Sequence, residues 1–140
     1  MQVRFSVPGE PKGKGRPRFS NAGKYVKTYT PHDTVVYENL VRLSYTQAHP
    51  KVKLTGALRA EIRAYFPIPA SVSKKKREAM IAGKVRYTKK IDADNLAKAV
   101  LDALNNVAYD DDKQIVELFV SKDYSEEPQV IVVLTEIEGG

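Results

Sequence analysis

The residues best suited to chemistry are aspartates and a lysine within segment 91–118, IDADNLAKAVLDALNNVAYDDDKQIVEL. If the chain is extended up to Asp94, the carboxylates of Asp92 and Asp94 project to the same side, because successive side chains of an extended chain alternate. Asp94 also stands at a natural N-cap position for a following helix. Lys98 comes four residues later, one helical turn along on the same face. The spacing predicts two carboxylates in one pocket, with an ammonium group within reach.

A third acidic group comes from the run Asp110-Asp111-Asp112 after the predicted helix. Asp111 or Asp112 would complete a cluster if the next strand lies beside the helix and brings the turn back to the helix N-terminus. Like charges 4 Å apart repel by about 4 kcal/mol at the effective dielectric of a protein surface, so three carboxylates need a cation. Hard divalent ions take carboxylate oxygens, so Mg²⁺ is expected, and Mn²⁺ may substitute for it.

Such a cluster would suit hydrolysis of a phosphodiester. The metal would lower the pKa of a bound water and orient its attack, while Lys98 stabilises charge at the phosphate or the leaving oxygen. The alternative is structural: Asp94 only caps a helix, Lys98 and Asp102 form an exposed i,i+4 pair, and the acidic run is a polar turn. A bare Asp-x-Asp favours that alternative, whereas D-x-D-N-x-x-K followed by D-D favours the site.

The elements that must position these residues are predicted in the order β-α-β-α-α-β-β, typical of an α+β fold with a mixed sheet packed against helices. Apolar residues alternate over 2–7 and 56–66, and apolar runs over 115–120 and 129–135 predict two further strands, the last one central. Helices are predicted from Thr30 and Pro31 to about Ala48, over 71–83 with Ser71 or Ser73 as the cap, and over 95–107. Residues 8–25, dense in Gly, Pro and basic side chains, predict a long loop without helix or sheet pairing. At 140 residues the chain predicts one domain, 1–140.

Charge is divided along the chain, whose formal net charge is +6. Residues 1–30 hold seven Lys/Arg and one acid, residues 71–90 hold eight and one, and residues 91–140 hold three and twelve. This division is expected when one surface binds a polyanion, with DNA phosphates as the expected partner. For the first basic segment an ordinary basic loop stays an equal alternative, whereas for the second the adjacent acidic site favours DNA over a solvated helix face. The predicted DNA-binding residues are Lys12, Lys14, Arg16, Arg18, Lys24, Lys74, Lys75, Lys76, Arg77, Lys89 and Lys90.

Composition also excludes several classes of protein and of active site. The absence of cysteine excludes a disulfide scaffold, a zinc ribbon and a thiol nucleophile, and it fits a reducing cytoplasm. The start of the chain has no apolar secretion signal, and no stretch approaches the roughly 20 apolar residues of a membrane span, so a cytoplasmic protein without membrane contact is expected. The glycines of segment 9–18 match no phosphate-binding fingerprint, so no nucleotide cofactor is expected.

The segment Asp92-Ala93-Asp94-Asn95-Leu96-Ala97-Lys98, followed by Leu101-Asp102-Ala103-Leu104 and Asp111-Asp112-Lys113-Gln114-Ile115-Val116, resembles the signature of the RusA family of Holliday-junction resolvases. The resemblance is strongest over 88–122. It implies an Mg²⁺-dependent, structure-selective endodeoxyribonuclease of DNA recombination and repair, acting as an intertwined homodimer on four-way junctions by paired symmetric nicks. Such proteins are commonly encoded by phages and prophages.

By motif position, the resemblance implies that Asp92, Asp94 and Asp112 are catalytic metal ligands and that Lys98 is the catalytic lysine. Because three acids stand together, Asp111 is an alternative third ligand. Two other functions stay open at this point: a non-catalytic, structure-selective DNA-binding protein in which the acidic cluster is a structural cation site, and a nuclease for flaps or single strands.

Overall fold

The computed structural model describes residues 1–15, 18–20, 27–29 and 32–140, with side chains in 1–15 and 32–140. Three α-helices, six strands and one short 3₁₀ helix, Asp112–Gln114, are described. In chain order the α-helices and strands are β1 (Gln2–Pro8), β2 (Arg18–Ser20), β3 (Lys27–Tyr29), α1 (His32–Ala48), β4 (Leu58–Pro67), α2 (Lys74–Ile81), α3 (Ala93–Ala103), β5 (Ile115–Ser125) and β6 (Gln129–Glu136). None of the described helices is both long enough and apolar enough to cross a membrane.

Four strands form one mixed sheet in the order β1-β6-β4-β5. Strand β6 pairs antiparallel with β1 and with β4, whereas β4 and β5 run parallel. A parallel pair needs a crossover connection, and α2 and α3 lie within it. The parallel pairing therefore brings the turn before β5 past the end of α3. The expected α+β fold with a mixed sheet is confirmed.

The core lies between one face of this sheet and the helices α1 and α3. Alternate residues of β1, β4 and β6 are buried, as a sheet with one covered face requires. From the helices, Val41 and Tyr45 of α1 and Leu96 and Val100 of α3 are almost fully buried. The Tyr45 ring meets Phe5 of β1 edge-on, with ring centroids 5.4 Å apart. This packing fixes α3 against the sheet and leaves its polar face outside.

The prediction of an uninterrupted loop over 8–25 is wrong. Strand β2 lies within that segment and pairs antiparallel with β3, placing Phe19 opposite Thr28. Aromatic and β-branched residues favour strands, and the Gly and Pro residues that argued for a loop are concentrated before Arg18. The predicted cap Thr30 and first helical residue Pro31 lie outside the described residues.

The predicted start and end of the third helix are also wrong. Helix α3 begins at Ala93 rather than after Asp94, with Asp92 at the N-cap position, and it ends at Ala103. A left-handed residue, Asn106 with φ of 63°, follows within three residues, so Val107 cannot continue the helix. Asp94 is consequently helical, and the argument that placed Asp92 and Asp94 along one extended chain fails. By contrast, Ser73 caps α2 as predicted, accepting a hydrogen bond from the Lys76 amide at 3.2 Å.

Candidate active site

The two leading aspartates lie at the start of α3. The Asp92 carbonyl accepts the first helical hydrogen bond, from the Leu96 amide at 3.0 Å, while its side chain makes no capping hydrogen bond. Asp94 is in the first turn, and both residues are exposed. The N-terminal end of a helix carries partial positive charge, which stabilises carboxylates there. The start of α3 therefore holds two solvent-facing carboxylates close in sequence.

Lys98 and Asp102 continue the same polar face of α3, because residues four apart are neighbours on a helix surface. The Lys98 ammonium lies 3.6 Å from a carboxylate oxygen of Asp102, and the lysine side chain is 62% exposed. The i,i+4 pair that the sequence offered as a structural alternative is thus present. Asp102 stands eight residues after Asp94, about 12 Å farther along the helix axis.

The acidic turn after α3 is fixed by its own hydrogen bonds. The Asp111 carboxylate accepts from the Lys113 amide at 2.9 Å, and the Gln114 side chain accepts from the Asp111 amide at 3.0 Å. Asp111 and Gln114 also form a capping box for the short 3₁₀ helix Asp112–Gln114, in which each side chain accepts from the backbone amide of the other. The Asp112 amide donates to the Asn105 side chain at 2.7 Å, which ties the turn to the residues following α3.

The neighbouring acids Asp111 and Asp112 have different surroundings. The hydrogen bond from the Lys113 amide lowers the pKa of Asp111. Partial burial, and then the adjacent carboxyl groups of Asp102 and Asp111, raise the pKa of Asp112. The Asp111 carboxylate thus stabilises the turn that contains it, whereas the Asp112 carboxyl lies close to that of Asp102.

Over residues 1–15 and 32–140 the structure places the Asp112 carboxyl beside those of Asp102 and Asp111. Within those residues no group of three or more His, Cys, Asp or Glu side chains is gathered closely enough to hold a metal ion. The donor chemistry nevertheless fits a hard divalent cation. All candidates are carboxylates, two are exposed at a helix N-terminus, and the crowding of Asp112 is a repulsion that a cation would relieve.

The first basic segment reaches this site through residues 13–15. The Lys14 amide donates to the Asn95 carbonyl at 3.2 Å, and the Lys14 ammonium lies 2.9 Å from Glu38 and 3.5 Å from Asp102. Lys12 is exposed. Of the other predicted DNA contacts here, Arg16 and Lys24 lie outside the described residues, and Arg18 lies in β2.

The second basic segment is held directly before α3. Tyr87 stacks on Phe66 with ring centroids 3.6 Å apart, and the Lys122 ammonium binds the carbonyls of Lys89 and Ile91 at 3.0 and 2.7 Å. Of the predicted DNA contacts in this segment, Arg77 forms an ion pair with Glu126 at 3.4 Å, and the others are exposed: Lys74, Lys75, Lys76, Lys89 and Lys90. Lysines therefore stand within a few residues of Asp92.

Three residues of this site were missed by the sequence reasoning. Asp102 has a usable signal in the sequence, since residues 94, 98 and 102 share one helical face, although its spacing from Lys98 by itself indicates only an ion pair. Asn105 has no such signal in the sequence, because its hydrogen bond with the Asp112 amide depends on where the acidic turn lies in the fold. Glu38 is a nearly buried acid, 8% exposed, on a helix remote in sequence. Such a residue is recognised only from tertiary packing.

Together the fold and this site define a small α+β protein with carboxylates along one helix face and lysines at the start of that helix. The family model described as endodeoxyribonuclease RusA matches residues 8–135. Uncharacterized protein YqaN of Bacillus subtilis (strain 168) is 42% identical over 137 residues, covering 96% of each chain. The chain belongs to the RusA family of endodeoxyribonucleases, as the motif predicted.

Proposed function

We propose that the protein is a Mg²⁺-dependent endonuclease that resolves four-way DNA junctions by paired symmetric nicks. The observation that carries this proposal is the return of the acidic turn to the polar face of α3, in a chain whose residues 8–135 match an endodeoxyribonuclease family. Acidic and cationic groups are thereby arranged along one exposed helix face. Such an arrangement suits a phosphodiester held over that face.

Asp92, Asp94 and Asp112 are the residues assigned to hold the metal, with Mn²⁺ as a substitute for Mg²⁺. When bound, the ion would activate a water and stabilise charge on the scissile phosphate. Asp112 is favoured over Asp111 because the Asp111 carboxylate is used in its own capping box. Lys98, largely exposed, has the length and freedom to leave Asp102 for a phosphate oxygen.

DNA would lie across the start of α3, flanked by the two basic segments. The exposed lysines Lys74, Lys75, Lys76, Lys89 and Lys90 are assigned to phosphates of one duplex arm, and Lys12 to another. Phosphate contacts position the duplex and carry no sequence information, so selection of a junction would rest on the shape of the branched DNA.

Paired nicks need two active sites, so we assign a homodimer. Strand β5 supports this assignment, because it is an edge strand with Val116, Leu118 and Phe119 exposed by 62%, 50% and 46%. Within the described part of the chain, no strand pairs with the outer edge of β5. An apolar strand edge of this kind is suited to burial against a second copy.

The test is cleavage of an end-labelled synthetic four-way junction beside a linear duplex and a flap, with Mg²⁺ or EDTA. Wild type should cut the junction alone, need Mg²⁺, and leave 5′-phosphate ends that a ligase can rejoin, while Asp92→Asn should bind the junction and not cut it. Tight junction binding without cutting under Mg²⁺ or Mn²⁺ would instead indicate a structure-selective binding protein. Preferred cutting of the flap would indicate a flap nuclease.

A further inference from the structure

Lys14 contacts acidic groups, although its position in a basic segment predicts a phosphate contact. Its side chain is only 20% exposed, and its ammonium lies between the Glu38 and Asp102 carboxylates, at 2.9 and 3.5 Å. Both carboxylates are themselves mostly buried, with side chains 11% and 23% exposed. To reach DNA, the ammonium would have to leave Glu38 as a nearly buried charge without its partner, which is strongly unfavourable.

The backbone around Lys14 is fixed as firmly as its side chain. The Lys14 amide donates to the Asn95 carbonyl in the first turn of α3, and the Gly15 amide donates to the buried Thr34 hydroxyl of α1 at 2.9 Å. Gly13 packs so closely on α3 that an added Cβ would lie 2.8 Å from the side-chain nitrogen Nδ2 of Asn95. Residues 13–15 therefore bridge the two helices.

We propose that Lys14 is a positioning residue of the active site, which neutralises Asp102 and so sets where the neighbouring Asp112 carboxyl lies. The inference rests on the proposed function. Asp102 contacts two ammonium groups, those of Lys14 and Lys98. The Asp112 amide donates at 2.7 Å to the side chain of Asn105, three residues after Asp102, which holds the two acids near each other. If Lys98 moves to a phosphate, Lys14 remains as the cation that balances Asp102. Removal of Lys14 would leave Asp102 and Asp112 to repel each other and displace Asp112 from the metal.

The test compares Lys14→Met, Lys14→Arg and the matched loop variant Lys12→Met in the full chain. Binding of Mn²⁺ to metal-free protein, followed by electron paramagnetic resonance, reports on the carboxylates without depending on cutting. Junction affinity in EDTA over a range of salt concentrations reports on phosphate contacts. Groups that orient metal ligands typically change metal affinity 10–100-fold, so Lys14→Met should weaken Mn²⁺ binding by roughly tenfold.

Lys14→Arg should restore most of the Mn²⁺ affinity, and the salt dependence of junction binding should match wild type in both Lys14 variants. Lys12→Met should do the reverse, keeping Mn²⁺ affinity and lowering the slope of log affinity against log salt by about 0.9, the effect of one lost phosphate contact. Unchanged Mn²⁺ affinity in Lys14→Met, or a salt slope reduced as in Lys12→Met, would overturn the proposal.

If Lys14→Met does not fold, the double variant Lys14→Met/Glu38→Met replaces the ion pair with apolar side chains of similar size and leaves no unpaired Glu38. It should also bind Mn²⁺ roughly tenfold more weakly, and wild-type affinity would overturn the proposal. Failure of the proposed function has a different signature, because wild type itself would then show no Mg²⁺-dependent cutting. Normal cutting by wild type with unaltered Mn²⁺ binding in the variants refutes only the role of Lys14.

Discussion

Replacing Asp112 with Asn should make the metal-free protein more stable while removing its activity. The carboxyl of Asp112 is crowded by Asp102 and Asp111, and partial burial adds to the cost of its charge. Asn keeps the size of the side chain and removes the charge. The Asp112 amide still donates to Asn105, so the turn should keep its position.

The expected gain can be worked from the electrostatics. Two carboxylates 4 Å apart repel by about 4 kcal/mol at an effective dielectric of 20. Asp112 is only partly buried and Lys98 offsets part of the Asp102 charge, so solvent and counter-charge reduce this to about 1 kcal/mol. A domain of this size gains about 3 °C in melting temperature per kcal/mol of unfolding free energy.

Mg²⁺ should reverse the order of stability. A ligand at 100 times its dissociation constant stabilises the folded state by about 2.7 kcal/mol, and Asp112→Asn should lose most of that gain. The assay is thermal unfolding of wild type and Asp112→Asn, first in EDTA and then in Mg²⁺. Asp111→Asn is the matched control: its carboxylate is stabilised by the Lys113 amide, so this substitution should not raise stability in EDTA. A less stable Asp112→Asn in EDTA, or equal Mg²⁺ stabilisation of both proteins, would refute the reasoning.

Three further predictions concern Lys98, the exposed edge of β5 and the buried Tyr37. Lys98→Met should slow junction cutting about 100-fold with little change in junction affinity, whereas Lys113→Met should cut normally; equal rates in single-turnover assays would remove Lys98 from the chemistry. Leu118→Lys should convert the proposed homodimer to monomer in sedimentation, while the equally exposed Leu43→Lys on α1 should not, and a dimeric Leu118→Lys would exclude β5 as the interface. Burial raises the pKa of Tyr37 from 10.0 to about 12, so the folded state keeps a proton that the unfolded state loses. The free energy of unfolding should therefore fall as pH rises from 10.0 to about 12, less steeply in Tyr37→Phe than in wild type. Urea unfolding at several pH values measures this free energy, and the same pH dependence in both proteins would contradict the prediction.

Much of the fold could be predicted because local pattern and burial agree. Strands β1 and β4 have one covered face, so their alternation is preserved in the sequence. The apolar run of β6 reflects its position between β1 and β4. Strand β5 was predicted only to about Val120, because its later residues, including Lys122 and Asp123, are polar. It continues to Ser125 because it pairs with β4 along the whole length of that strand.

The sequence predicts which residues belong to the candidate site, but only partly how they are arranged. Residue types and spacing identified the carboxylates and Lys98. They required the acidic turn to return to the helix, and its neighbours Asn105 and Asp102 are known only from the structure. The surroundings of Lys14 depend on contacts with Glu38, Asp102 and Asn95, which are 24 or more residues away in sequence. Spacing within one segment cannot reveal such contacts.

The central claim is tested most directly on a supercoiled plasmid that extrudes a cruciform, incubated with wild-type protein and Mg²⁺. Two coordinated nicks across the junction convert the circle directly to a linear molecule, whereas independent single nicks accumulate as an open circle. The proposed function predicts linear product that requires Mg²⁺, with ends mapping symmetrically across the cruciform, and none with Asp92→Asn. Open circle alone, or no product with wild type under Mg²⁺ or Mn²⁺, would contradict it.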